Sequence, residues 1–133
     1  MSEIHFVDTT LRDGNQSLWA LNMPIGAMLP IAEQMDKAGF ESMEFFVGVM
    51  FKKYVHEHRE NPWDWIRLGS KKFTRTRLRY HGGMHSTFEK TPGCILRLLG
   101  ERLVSFGITL TRTSNCWNDY ESFKQELDEL TAI

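Results

Sequence analysis

The stretch Val7-Asp8-Thr9-Thr10-Leu11-Arg12-Asp13-Gly14-Asn15-Gln16-Ser17 joins an apolar strand pattern to a dense group of charged and amide side chains. Ile4, Phe6 and Val7 favour β-structure, and Gly14 breaks the pattern, which predicts a strand followed by a loop. Ligands bind beyond the carboxyl ends of strands in parallel α/β folds. The polar side chains that we expect to project there are Arg12, Asp13 and Gln16.

The composition is typical of a globular domain. Of the 133 residues, 41% are apolar and 25% are charged, and the net charge of -1 gives no reason to expect binding to nucleic acid or to an anionic membrane. No apolar run reaches the roughly 20 residues of a membrane helix. Two cysteines, Cys94 and Cys116, and an amino terminus without a signal-peptide pattern favour a cytoplasmic protein without disulfides.

Strand and helix patterns alternate with a period of about 30 to 40 residues, which predicts parallel βα units. The expected strands are residues 4–9, 42–49, 77–81 and 108–113. The expected helices run from Pro24 to about Lys37, from Pro62, from Thr91-Pro92 to Gly107, and over 121–130. Pro30 predicts a kink or a later start of the first helix, and residues 51–61 are expected to be a long connection. The fold class is therefore α/β, in one domain.

The segment Asp-Thr-Thr-Leu-Arg-Asp-Gly-x-Gln-Ser-Leu, residues 8–18, resembles the first-strand signature of a family of metal-dependent TIM-barrel lyases and carboxyltransferases. Its members include the carboxyltransferase domain of pyruvate carboxylase, the oxaloacetate decarboxylase α-subunit, hydroxymethylglutaryl-CoA lyase and isopropylmalate synthase. A complete (β/α)8 barrel has roughly 250 residues, so the resemblance implies that residues 1–133 form the N-terminal half, about four of eight units.

Later segments resemble the pyruvate carboxyltransferase group. Residues 41–63, which end in Pro62-Trp63, are similar to its second unit, and residues 107–118 are similar to its fourth strand, where Arg112 and Asn118 match the family pattern. Asn115 stands where the family has aspartate. His81 aligns with a family arginine that contacts the keto acid carboxylate, and Arg79 lies two residues away.

The resemblance implies a role for each candidate site residue. Asp13 would be a ligand of a divalent metal (Mn, Mg, Zn or Co), and Arg12 would stabilise negative charge on an enolate oxygen. The candidate substrate-binding residues are Gln16, His81 and Arg112. The remaining ligands, paired histidines and a modified lysine, would lie outside this chain.

Each role has an ordinary structural alternative. Arg12 and Asp13 can form an internal ion pair, Asp8 can either orient its neighbours or accept hydrogen bonds in a turn, and His81 can be a buried structural histidine. His85 lies near His81 and shares its alternatives.

Three other features are expected to be structural or incidental. His56-Glu57-His58 has metal-ligand spacing, but its charged surroundings favour a solvated loop. Cys116 has no evident base and is not expected to be a nucleophile. The tryptophans expected in the core or an interface are Trp63, Trp65 and Trp117.

Two functional hypotheses follow. In the first, the chain is the N-terminal part of a lyase or carboxyltransferase that acts on a 2-oxo acid or an acyl-CoA-derived substrate through an enolate. In the second, it is a non-catalytic half-barrel that serves in assembly or interaction. Strands one and four would be open edges, so a missing C-terminal half-barrel or a second copy is the expected partner, and the isolated chain should be inactive or weak. A phosphate-binding open sheet is disfavoured because no glycine-rich loop follows strand one.

Overall fold

The computed structural model describes residues 3–82, 91–114, 119–121, 124 and 127–128, and its centre is a parallel four-stranded sheet in the order β1-β2-β3-β4. The strands are β1 (Val7–Asp8), β2 (Ser42–Val47), β3 (Arg77–His81) and β4 (Ile108–Arg112). Every neighbouring pair is parallel. The predicted α/β class, the parallel sheet and the period of its strands are therefore confirmed.

Helical segments connect the strands. Segment α1 is a π-helical turn, Thr10–Gly14, followed by an α-helical turn, Asn15–Trp19, and α2 is Ile25–Asp36. Segment α3 joins Val49–Lys53 to a π-helical turn, Tyr54–His58. Segment α4 runs through Pro62–Asp64, Trp65–Gly69 and Ser70–Lys72, and α5 is Gly93–Ser105. None of the helices in the described ranges is long and apolar enough to span a membrane.

The expectation of a loop after the first strand was wrong, because helical turns begin directly after Thr9. The Thr9 carbonyl accepts hydrogen bonds from the amides of Asp13 (2.6 Å) and Gly14 (3.1 Å). Gly14 has a φ of -58°, which is helical, so it does not break the backbone. The strand is also shorter than predicted, covering two residues instead of six.

Asp8 stabilises this start of α1. Its Oδ1 accepts a hydrogen bond from the Thr10 amide (3.0 Å), and its Oδ2 accepts one from the Thr10 hydroxyl (2.9 Å). These are the bonds of a turn or cap acceptor. Of the two roles expected for Asp8, the structure therefore shows the local one.

Helix α2 starts at Ile25, directly after Pro24, as predicted, so of the two alternatives given for Pro30 the later start is excluded. Pro30 lies inside the helix, where it has no amide hydrogen to donate to the Gly26 carbonyl. The helix stops before Gly39, whose φ of +84° suits glycine.

Residues 51–61 are mostly helical, which corrects the expectation of an irregular connection. Tyr54 anchors this segment because its ring is fully buried and its hydroxyl donates to the Met23 carbonyl at 2.6 Å. Burial raises the pKa of Tyr54 to about 12, and the hydrogen bond from Asn15 only partly opposes this effect.

The predicted helix at Pro62 is confirmed, and the Asn61 side chain caps it by accepting from the Trp63 amide (3.1 Å). Trp65 is fully buried, stacks on Phe45 with ring centroids 4.4 Å apart, and donates through Nε1 to the Phe45 carbonyl. Trp63 is partly buried against the same core. The expected core role of these two tryptophans is thus confirmed, while Trp117 lies outside the described residues.

The last elements also follow the sequence prediction closely. Strand β3 has the predicted bounds, and α5 ends before Gly107, whose φ is +83°. Helix α5 starts one residue later than expected, because Pro92 occupies the cap position. In the segment predicted as a final helix, residues 120, 121, 124, 127 and 128 are helical. Phe123 and Leu130, two apolar residues of this segment, lie outside the described residues.

The sheet register sets the position of the candidate site. All six residues of β2 are buried, as expected for a strand covered on both faces. Val47 pairs with His81, and His81 pairs with Arg112, so the last residues of three strands lie side by side. Asp8 ends β1 beside Met43, the residue before Glu44, so α1 begins close to the middle of β2.

Candidate active site

Glu44 is the centre of a charged cluster that joins α1 to the carboxyl ends of β3 and β4. It lies on β2, and its side chain is only 1% exposed. Its Oε2 accepts hydrogen bonds from Nε (2.7 Å) and Nη2 of Arg12, and its Oε1 accepts from Nη1 of Arg112 (2.9 Å). One carboxylate therefore holds two arginines that come from opposite edges of the sheet.

Arg12 and Asp13 form the part of the cluster that α1 supplies. The Arg12 side chain is only 6% exposed, and its Nη1 donates to Asp13 Oδ1 at 2.8 Å. Asp13 is half-exposed, at 50%. The internal ion pair expected as the structural alternative is present, and it leaves the Asp13 carboxylate accessible to solvent.

Arg112 and His81 complete the cluster from β4 and β3. The Arg112 side chain is 49% exposed, although its Nη1 is hydrogen-bonded to the buried Glu44. His81 is buried, its Nε2 lies 3.1 Å from the Ser114 hydroxyl, and its Nδ1 lies 3.9 Å from Glu44 Oε2. That last distance is too long for a hydrogen bond, and Nδ1 hydrogen-bonds to none of the described residues.

The charges of the cluster are fixed by these contacts. Burial favours the neutral form of Glu44, but hydrogen bonds from Arg112 and Arg12 outweigh it and hold the pKa of Glu44 below its ordinary value. Burial, followed by the charge of Arg12, lowers the pKa of His81 although Glu44 opposes the shift. At neutral pH the cluster contains two guanidinium groups, two carboxylates and an uncharged imidazole.

Gln16 lies one helical turn after Arg12, in α1. Its Oε1 is buried and hydrogen-bonds to none of the residues that the structure describes. Gln16 is therefore close to Arg12 and Asp13 in the sequence, but in the described part of the chain no hydrogen bond joins its Oε1 to the cluster.

The neighbouring Asn15 is fully buried and has a structural role. Its Nδ2 donates to the Tyr54 hydroxyl at 3.3 Å, and its Oδ1 accepts from the Met23 amide at 3.1 Å. Asn15 thus ties α1 to the segments that follow it.

Other residues considered from the sequence lie away from the cluster or outside the described residues. His58 hydrogen-bonds to the Leu21 carbonyl through Nε2 (2.8 Å) and stacks on Tyr54, while His56 is exposed. This pair lies on a helical segment instead of the expected solvated loop. Arg79 donates to the Ser42 hydroxyl at 2.9 Å. Residues outside the described ranges are His85, Asn115, Cys116 and Asn118.

Asp13 fits the role of one ligand of a divalent cation. It offers a half-exposed carboxylate, which is the hard oxygen donor that Mg²⁺ and Mn²⁺ prefer. Within the described ranges, no three His, Cys, Asp or Glu side chains form a group that could hold a metal ion. Asp13 therefore fits such an ion only with ligands from outside those ranges.

Glu44 is the residue that the sequence analysis missed. It is the only charged residue in the strand Ser-Met-Glu-Phe-Phe-Val, all of which is buried. A lone carboxylate in such a strand requires a cationic partner, because an unpaired buried charge is very costly. This pattern could have identified Glu44 as a partner of arginine.

Comparison with known proteins supports the resemblance noted in the sequence. One of the pyruvate carboxylase subunits of Methanocaldococcus jannaschii is 43% identical over 76 residues, which are 57% of this chain and 13% of that protein. The corresponding protein of Methanothermobacter thermautotrophicus is 30% identical over 126 residues, 93% of this chain and 22% of that protein. The chain belongs to the pyruvate carboxyltransferase superfamily. No family model matches the sequence.

Solved structures of this superfamily share the fold. The carboxyltransferase domain of Rhizobium etli pyruvate carboxylase, in a complex with 3-bromopyruvate, matches with a TM-score of 0.87 and 24% identity. The match covers 98% of this chain and 22% of the other. The chain therefore has the fold of a fragment of a carboxyltransferase TIM barrel, and it spans less than a quarter of the length of these relatives.

Proposed function

We propose that this chain supplies the N-terminal part of the active site of a divalent-metal-dependent carboxyltransferase that acts on a 2-oxo acid through an enolate. In this proposal residues 1–133 form the first half of a (β/α)8 barrel. The observation that carries the proposal is the Arg12–Glu44–Arg112 network, which links the half-exposed side chains of Asp13 and Arg112 at the carboxyl edge of the sheet.

The arrangement suits an anion that also carries a carbonyl group. Among the described residues Arg112 donates only through Nη1, to Glu44, and its guanidinium is half-exposed, so its other donors suit a substrate carboxylate. Arg12 is buried and fixed, so its charge can stabilise negative charge that develops on the substrate. His81 is neutral and can contact the substrate without adding charge, and Gln16 would contribute its amide.

Asp13 would bind the divalent cation together with ligands outside this chain. Such a cation, when bound, supplies Lewis-acid polarisation of the 2-oxo oxygen. Relatives named for pyruvate carboxylation support a 2-oxo acid more than an acyl-CoA, and they support carboxyl transfer more than a lyase reaction.

Binding of pyruvate to the purified 133-residue chain, measured by isothermal titration with and without Mg²⁺, tests this proposal. We expect weak binding that falls at least fivefold in Arg112→Gln. Mg²⁺ should strengthen it only slightly, because one metal ligand is present, and Asp13→Asn should abolish that gain. The matched controls are Asp64→Asn and Arg67→Gln, which remove an exposed ion pair elsewhere in the chain and should leave binding unchanged.

Two results would contradict the proposal. One is equal binding by all four variants. The other is metal-dependent turnover of pyruvate by the isolated chain at a rate that Asp13→Asn does not change, because the ligand set would then lie elsewhere.

A second candidate function is a non-catalytic assembly module. Two observations favour it: β1 and β4 are the sheet edges, and large apolar side chains near β1 are exposed, among them Phe6, Leu18 and Trp19. Self-association measured by sedimentation, combined with no pyruvate binding, would favour this function. A downstream coding segment with a lysine strand and a His-x-His strand would favour the enzyme.

A further inference from the structure

We propose that Glu44 is a positioning residue, which fixes Arg12 and Arg112 in one relative orientation before an anionic ligand arrives. This inference rests on the proposed function, since it assumes that both arginines face the substrate. It adds to the site a residue that makes no contact with substrate itself.

The first step of the argument is the geometry of the three side chains. Arg12 enters from α1 after one edge strand, and Arg112 enters from the opposite edge strand. Glu44 lies between them and uses one carboxylate oxygen for each arginine. In the described part of the chain, the route that connects the two guanidinium groups therefore runs through this carboxylate.

The second step concerns side-chain freedom. An arginine side chain loses substantial rotamer entropy when it is fixed, and a ligand that must fix it binds more weakly. The contact with Glu44 fixes both arginines in the absence of ligand, and charge-assisted hydrogen bonds are strong enough to hold this geometry. Arg12 is almost completely buried as a result, whereas Arg112 is held at Nη1 and remains half-exposed.

The third step separates positioning from stability. A buried ion pair can often be replaced by apolar residues without loss of stability, so stability alone does not account for Glu44. Its charge also matters to the cluster. With Glu44 present, two guanidinium charges face two carboxylates, and removing the Glu44 charge leaves the cluster with a net charge of +1.

Two variants distinguish charge from geometry. Glu44→Gln keeps the shape of the side chain and removes its charge, whereas Glu44→Asp keeps the charge and withdraws it by one methylene group. If Glu44 only balanced charge, Glu44→Gln would bind anions more tightly and Glu44→Asp would bind them normally. If Glu44 positions the arginines, both variants bind pyruvate at least fivefold more weakly.

The control is Glu60→Gln. Glu60 is another partly buried glutamate, and it accepts a hydrogen bond from the Ile25 amide at the start of α2 (3.0 Å). This variant removes a structural carboxylate without touching the cluster. It should therefore lose some stability and keep the affinity of the wild-type chain for pyruvate.

A second measurement does not depend on ligand binding. In the ¹⁵N spectrum of the wild-type 133-residue chain, we expect the Arg12 Nε–H signal to be shifted downfield and protected from solvent exchange. We expect Glu44→Gln and Glu44→Asp to lose that shift, and Glu60→Gln to retain it. Unchanged Arg12 signals in both Glu44 variants would overturn the positioning role.

The two measurements also separate this inference from the proposed function. If the wild-type chain does not bind pyruvate but its Arg12 signal depends on Glu44, the proposed function fails and the positioning role stands. If both Glu44 variants fail to fold, Arg112→Gln provides the remaining test, because Arg112 is half-exposed. This variant removes the second arginine that Glu44 binds, which should shift the Arg12 Nε–H signal. An unchanged signal would contradict the proposal that Glu44 links the two arginines.

Discussion

Nη1 of Arg112 lies 2.9 Å from Oε1 of Glu44, although the two residues are 68 positions apart in the chain. The contact crosses from β4 to β2, and Glu44 is completely covered while Arg112 is half-exposed. Because one partner is shielded from water, their attraction should exceed that of a surface ion pair.

A double-mutant cycle on Glu44→Gln and Arg112→Gln should give a coupling free energy of about 1 to 2 kcal/mol in urea unfolding. The matched pair is Lys53 and Glu57, which is spaced i, i+4 on a helical segment and has an exposed glutamate. Its coupling should stay below about 0.5 kcal/mol. Equal coupling in the two cycles would show that burial of Glu44 does not strengthen its ion pair.

Asp36 should make stability depend on pH in the acid range. Burial opposes ionisation of this carboxylate, but it accepts hydrogen bonds from the amides of Thr74, Arg75 and Thr76, and its pKa falls to about 2. A depressed pKa stabilises the fold above the ordinary value near 3.8 and loses this contribution as pH falls towards 2. The contribution at neutral pH is about 2 kcal/mol.

Urea unfolding of Asp36→Asn between pH 7 and pH 2 checks this expectation. The variant should be less stable than wild type at pH 7 and should approach it as the pH falls to 2. Asp64→Asn is the control, because Asp64 forms an exposed ion pair and should change stability by less than about 0.5 kcal/mol. A stability difference between wild type and Asp36→Asn that is constant across this range would be inconsistent with the role of Asp36.

Tyr54→Phe should cost about 1 to 3 kcal/mol, because the buried hydroxyl donates to the Met23 carbonyl and accepts from Asn15. Thermal unfolding measures this loss.

The raised pKa of Tyr54, about 12, also predicts that the folded state holds the hydroxyl proton more tightly than the unfolded state. Its contribution is complete below pH 10 and is lost as the pH rises to 12. Subtracting the tyrosinate absorbance of Tyr54→Phe from that of the wild type isolates the titration of Tyr54. A midpoint near pH 10 in this difference would contradict the assignment.

Gly69→Ala should destabilise the fold by about 1 to 3 kcal/mol, since the added Cβ would lie 2.8 Å from ring atoms of Phe45 and Trp65. Both rings are fully buried and have little room to move. Gly26→Ala in α2 is the opposite case, because nothing lies within 4 Å of its added Cβ. This control should gain about 0.5 to 1 kcal/mol. Denaturation midpoints that shift in the same direction for both variants would rule out the packing explanation.

The sequence predicted the regular elements well where local patterns are strong. The bounds of β3, the buried run of β2 and the helix at Pro62 all follow from side-chain periodicity and capping residues. The prediction failed at α1 and α3. At α1, Gly14 was read as a break, but the turn is set by Asp8 and by the Thr9 carbonyl. At α3, charged residues suggested a solvated loop, whereas Tyr54 anchors a helix in the core.

The candidate site was predictable only in part. Arg12 and Asp13 are adjacent in the sequence, so their ion pair could be expected from the chain alone. Arg112 and His81 came from a resemblance, and the register of β3 and β4 places them side by side. The metal-binding and substrate-binding roles of these residues, including Gln16, remain predictions.

The sequence by itself determined the order of the βα units and the position of the Arg12-Asp13 pair after the first strand, because both depend on residues close together in the chain. Only the tertiary structure decided that Glu44 holds Arg12 and Arg112. Those contacts span 32 and 68 residues, and they depend on the sheet register and on the burial of β2. The role of the Glu44 carboxylate therefore depends on the arginines that the fold places beside it.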